Sequence, residues 1–118
     1  MLEDYRRFGF EPQAQVIASG ARFTTAHRAW TSRPGWLYAF VSDGRVMYVG
    51  LTINPLGARV DQYRHGGDQC ARVRQHIVDE LAAGREVWLY GRPVDDREEM
   101  QREEARLRRD FKPPWNRA

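Results

Sequence analysis

The chain has 118 residues, of which 42% are hydrophobic, 30% charged and 12% aromatic, a composition that fits one globular domain and excludes a disordered chain. Its formal charge is +3, and of its 19 cationic residues only Lys112 is not arginine; guanidinium forks match phosphates, so a nucleic-acid partner suits this balance, as does a genome rich in arginine codons. The single Cys70 excludes an internal disulfide and a cysteine-built metal site. With no membrane-spanning apolar run and no signal-peptide pattern in "MLEDYRRFGF", the expectation is a cytoplasmic protein without a membrane partner.

Residues 1–34 give the weakest pattern. "EDYRRF" fits a short helix, "QAQVIASGARF" can hold a strand, and "TSRPG" is a break. In "GWLYAFVSDGRVMYVG" the β-rich runs 36–41 and 45–50 flank Asp43-Gly44 and predict a hairpin. A short helix follows in "NPLGARVDQYRHGG", with Asn54 as a cap, Pro55 at its first position and Gly66-Gly67 as its stop. Leu56, Val60 and Tyr63 fall on one face of it. From Asp68 to Ala83 a second helix is marked by Val73, Ile77 and Leu81, and Gly84 ends it. "REVWLYGRP", residues 85–93, is a third strand. Asp95 or Asp96 caps a last helix running to about Asp110, before the prolines of "FKPPWNRA". The order β-β-α-α-β-α predicts an α+β fold: a small three-stranded antiparallel sheet flanked by helices, behind an N-terminal extension.

Three local features bear chemistry. Tyr38 and Tyr48 occupy the two hairpin strands. With a two-residue Asp43-Gly44 turn, Tyr48 lies opposite Ala39 and points away from Tyr38; with a Ser42-Asp43-Gly44 loop and a left-handed Gly44, the two tyrosines face each other. Arg59 and Tyr63 stand four apart on one helix face, where a guanidinium beside a phenol can hold a phosphate or simply stack on it. In the last helix Met100, Leu107 and Phe111 form an apolar stripe, and Glu104 sits between them. A carboxylate in such a place requires an arginine partner or a metal.

Taken in order, these parts resemble the GIY-YIG nuclease family. Trp36-Leu37-Tyr38 stands where that family has G-I-Y, and Tyr48-Val49-Gly50 where it has Y-I-G. Arg59 matches its helical arginine, Tyr63 the Tyr or His one turn later, Glu104 its metal-binding glutamate and Asn116, in "PPWN", its closing asparagine. The likeness spans roughly residues 35–116, so 35–118 reads as the nuclease-like domain and 1–34 as an extension of unassigned role. Three departures stand out: Trp36 replaces the first glycine, the spacing from Tyr38 to Tyr48 is one residue short of the family pattern, and Leu51 stands where many members carry a lysine or other polar donor. Thr52 or His65 are candidate substitutes for that donor.

The resemblance implies a metal-dependent endonuclease that hydrolyses DNA to 5′-phosphate and 3′-hydroxyl ends. It implies Mg²⁺, or Mn²⁺, on Glu104, charge neutralisation by Arg59, Tyr48 as general base, Tyr38 and Tyr63 as positioning groups, and Asn116 as an orienting group. Arg59, Arg64 and His65 are the candidate nucleic-acid contacts. The partner is DNA, duplex or branched, with RNA an open alternative; one active site cutting two strands suggests a homodimer or successive nicks. The competing readings are a catalytically inactive nucleic-acid-binding module on the same fold, and a protein-interaction surface built from Trp30, Trp36, Trp88 and Trp115.

Overall fold

The computed structural model describes residues 9–116; the short helix expected in "EDYRRF" lies outside them. Strands β1 (Glu11–Ser19) and β2 (Arg22–Ala26) form an N-terminal hairpin, and β3 (Pro34–Ser42) and β4 (Arg45–Pro55) form a second one. Helices α1 (Leu56–His65) and α2 (Gln69–Ala82) follow, then β5 (Val87–Pro93) and α3 (Arg97–Phe111). The sheet has five strands, not the three expected, in the order β2-β1-β5-β3-β4 with every neighbouring pair antiparallel. The expected trio is β4-β3-β5. β1 adds to the free edge of β5, pairing Val16 with Val87, so that the bonding groups of β5 are met on both sides. The strand expected in "QAQVIASGARF" is there, split into β1 and β2 around Gly20; what the sequence did not show is that the pair joins the sheet at the edge of β5.

Helices cover both faces. Phe40, Tyr38 and Tyr48 on one face pack with Leu56, Val60 and Tyr63 of α1 and with Val73 and Ile77 of α2. The opposite face presents Leu37, Ala39, Val41 and Val49 to Met100 and Leu107 of α3. Trp36 and Trp115 are buried and Trp30 and Trp88 half-buried against these cores, so the tryptophans build the interior and make no common surface. Local signals place most helix ends. Gly84, at φ 81°, follows α2, and Asp96 caps α3 by accepting from the Glu98 N–H at 3.0 Å. At α1 the capping residue is Pro55, because Asn54 still lies within β4. Among the described residues no helix is long and apolar enough to cross a membrane.

The central hairpin adopts neither of the two registers weighed from sequence. Its turn is the two-residue one, with Asp43 at φ 46° and Gly44 at φ 79°, the doubly left-handed form that matches strand twist. Ser42 pairs with Arg45 and Val41 with Val46, but the next pair is Phe40 with Tyr48. Met47 is thus an extra residue in β4, and that bulge turns Tyr48 onto the face of Phe40 and Tyr38. Beyond it Tyr38 lies opposite Gly50, where a Cβ would stand 2.5 Å from the phenol Cζ and Oη. Only glycine lets the Tyr38 ring lie flat across β4 there.

β4 is an edge strand, and the C-terminal segment seals it. The Trp115 N–H donates to the carbonyl of the bulged Met47 at 2.9 Å. Asn116 pairs twice with Val49: its Oδ1 accepts from the Val49 N–H at 2.8 Å and its Nδ2 donates to the Val49 carbonyl at 2.9 Å. The tail so supplies the bonds a further strand would make, and its Trp115 ring stacks on His76 of α2 at 5.3 Å. Asn116→Ala removes both bonds to Val49 and is expected to cost about 1–3 kcal/mol. Denaturant unfolding measures that cost, and amide exchange at Val49 should accelerate while exchange at the centre of β3 stays slow.

Candidate active site

Three elements converge on one cluster. The bulge in β4 delivers Tyr48, β3 delivers Tyr38 across the pair, and α1 crosses above with Arg59 and Tyr63 one turn apart. The Tyr38 and Tyr63 hydroxyls lie 2.6 Å from each other. Arg59 donates to both: Nε to Tyr38 Oη at 3.0 Å and Nη2 to Tyr63 Oη at 3.2 Å. Its guanidinium also lies 4.6 Å from the centre of the Tyr63 ring, within cation–π range. Nη1 donates to Gln62 Oε1 at 2.6 Å, leaving Nη2 a second hydrogen for an incoming oxygen.

The rings interlock. Tyr48 stands 6.4 Å from Tyr38 and 6.0 Å from Tyr63 between centroids, and Phe40 meets Tyr63 edge-on at 5.5 Å. Tyr38 and Tyr63 are sealed off, and Tyr48 retains 7% exposure. The Tyr48 hydroxyl has no hydrogen-bond partner among the described residues, unlike the other two. Burial pushes the Tyr38 phenol up to about 12, against the pull of the adjacent Arg59. Burial pushes the Tyr63 phenol up further still, reinforced by the neighbouring Tyr38 and Tyr48. Both are neutral near pH 7, so Arg59 is the charge of this cluster.

The remaining candidates sit around it. Thr52 shares the Tyr48 face of β4 and is buried, its Oγ1 accepting from the Asn54 N–H at 3.1 Å. Leu51 points to the opposite face, into the core beneath α3. His65 is exposed at the end of α1. Arg64 is bound to the protein itself, donating to the Phe23 carbonyl at 3.3 Å and to Asp61 at 3.2 Å. Asn116 spends its amide on Val49, next in sequence to Tyr48.

Glu104 is set apart. It lies on α3, between the buried Met100 and Leu107, on the face of the sheet opposite the tyrosines. Its side chain is 23% exposed, and Arg108 approaches it at 3.8 Å. Burial raises its carboxyl above the usual range, partly offset by Arg108. Among the described residues no group of three or more His, Cys, Asp or Glu side chains could hold a metal ion.

Three contacts of the cluster escaped sequence reasoning. Gln62 was accessible in principle, being three positions from Arg59 on one helix. Arg74 was not: it reaches from α2 to donate to the Tyr63 and Gly66 carbonyls, each at 2.9 Å, closing the C-terminal end of α1. Cys70, with Sγ 4.0 Å from Arg59 Nη1, likewise comes from α2.

No protein-family model matches the chain, and no curated protein does. Solved structures do. A mutant of bacteriophage T4 EndoII superposes with a TM-score of 0.78 over 99% of this chain and 98% of that one, at 18% identity. The restriction endonuclease HPY188I, in complex with product DNA, superposes with a TM-score of 0.56 over 80% of this chain and 65% of that one, also at 18% identity. At such identities the likeness is one of fold, and this chain has the α+β fold seen in these nucleases.

Proposed function

We propose that this chain is a metal-dependent endonuclease of the GIY-YIG type, hydrolysing DNA phosphodiesters to 5′-phosphate and 3′-hydroxyl ends. The observation that carries the reading is the Arg59 guanidinium bonded to two phenol oxygens beside a third phenol, Tyr48, whose hydroxyl is free. Tyr48 is the one phenol of the three that keeps some exposure and has no partner among the described residues, so its hydroxyl is the one that can meet a substrate water. The likeness to two nucleases in fold, one of them in complex with product DNA, supports it from a separate direction.

Each residue then has a role suited to its surroundings. Arg59, held by Tyr38 and Tyr63, turns its remaining donor toward a phosphoryl oxygen and offsets the charge that grows there in the transition state. Tyr38 and Tyr63 stay protonated at neutral pH, so they position Arg59 and accept or donate hydrogen bonds without removing a proton. Tyr48, the one phenol of the three without a hydrogen-bond partner among the described residues, is left as the group to take a proton from the attacking water. Asn116 acts one step back, fixing the strand that carries Tyr48.

The donor set is compatible with one hard cation. Glu104 offers a single half-buried carboxylate, and magnesium commonly takes one or two carboxylates, filling its shell with water and substrate phosphate oxygens. A bound Mg²⁺ or Mn²⁺ would supply charge for the scissile phosphate and its leaving oxygen. Leu51 brings no donor of its own to the site, and Thr52, on the tyrosine face, is the nearer polar substitute. A cytoplasmic location, and either a homodimer or successive nicks for cutting both strands, complete the proposal.

Three outcomes follow. Purified protein with Mg²⁺ should nick supercoiled plasmid, and nicking should vanish in EDTA and in Glu104→Gln; intact plasmid that is nonetheless shifted on a gel, equally by both proteins, would establish the inactive binding module instead. Arg59→Ala should lower kcat by about 10²- to 10³-fold, the usual effect of losing one preorganised donor. The third concerns alkaline pH. Tyr38 titrates near 10 when unfolded and near 12 when folded. Between those values the unfolded chain releases a proton that the folded chain keeps, so stability falls as pH rises through the window. Spectrophotometric titration should show phenol ionisation lagging behind that of free tyrosine and completed only with unfolding.

A further inference from the structure

The end of α3 and the segment after it enclose a cleft of about 520 Å³ lined by Arg108, Arg109, Lys112, Pro113 and Asn116. Three of these five side chains are cationic. Among the described residues, Glu104 lies 3.8 Å from Arg108, and Asp110 lies 3.4 Å from Arg109 and 3.9 Å from Arg106. Pro113 has no N–H, and the Asn116 amide is spent on Val49. Anything held in the cleft is therefore held by cationic side chains.

Cations in a last helical turn are ordinarily explained by the partial negative charge of the helix end, and that accounts for Arg108 and Arg109. It does not account for the backbone of Lys112. This residue closes α3 at φ 46° and ψ 58°, the left-handed position that helices usually give to glycine. The only lysine of the chain thus occupies a strained backbone site at the mouth of a cationic cleft. One wall of that cleft adjoins Glu104 through Arg108, and the other, Asn116, is bonded to β4 beside Tyr48.

We propose that this cleft is a phosphate subsite that seats two adjacent backbone phosphodiesters of DNA, flanking the phosphate at Arg59. The identity of the ligand rests on the nuclease reading, but binding tests it without cleavage. In Arg109→Gln/Lys112→Gln, affinity for a short duplex is measured in EDTA across a salt series, beside Arg97→Gln/Arg102→Gln, which removes the same charge from the exposed first half of α3. Loss of two phosphate contacts should make the slope of log affinity against log salt shallower by about 1.8 in the first variant and leave it unchanged in the second. An equal change in both, or none in the first, overturns the proposal. Lys112→Gly separates binding from folding: relief of the left-handed strain should raise Tm while the slope falls by about 0.9. A more stable Lys112→Gly protein that binds DNA as before also overturns it. Titration with inorganic phosphate, followed by the amide shifts of 108–116, distinguishes the source: tight saturation with no effect of the variants on the DNA slope assigns the cleft to a free anion instead. Should the wild type bind DNA with the expected slopes yet fail to cut it, the nuclease reading falls and this one stands.

Discussion

The Arg59 guanidinium determines most of what surrounds it. Two phenol hydroxyls lie in the core between the sheet and α1, where an unpaired hydroxyl would cost about 1–3 kcal/mol. They satisfy each other at 2.6 Å, and Arg59 supplies the further donors. One side chain thereby fixes β3 to α1, sets the rotation of the helix on the sheet, and leaves a single positive charge at the edge of a buried aromatic cluster. The same burial that makes Arg59 necessary keeps Tyr38 and Tyr63 neutral well above pH 7. Stability and chemistry are tied together there: a change that frees either phenol also releases the cation.

The second constraint is the edge of β4. An exposed edge strand carrying a reactive side chain would be open to register slippage and to pairing with other chains. Here the bulge at Met47 turns Tyr48 inward, and the tail closes over that bulge through Trp115 and Asn116. The tail comes directly from α3, which packs on the opposite face. The two faces of the sheet are thus joined around its edge, and Glu104 on one side is linked through about a dozen residues to the strand of Tyr48 on the other.

Much of this was legible in the residues. The hairpin, both helices after it, the last strand and the capped final helix all follow from turn chemistry and apolar spacing, which are local. Arg59 and Tyr63 were readable as neighbours because four residues make one helical turn. A strand was legible in the N-terminal segment, but its place in the sheet was not, since no local signal says that β5 has an edge to fill.

By itself, then, the sequence determined the local elements, the α+β class and the set of candidate side chains, because each depends on contacts within a few residues. Tertiary structure decided the five-stranded order, the Met47 bulge and the sides on which Tyr48 and Glu104 lie. Each of those depends on pairing between distant segments, and a one-residue shift in such pairing turns a side chain to the other face of the sheet.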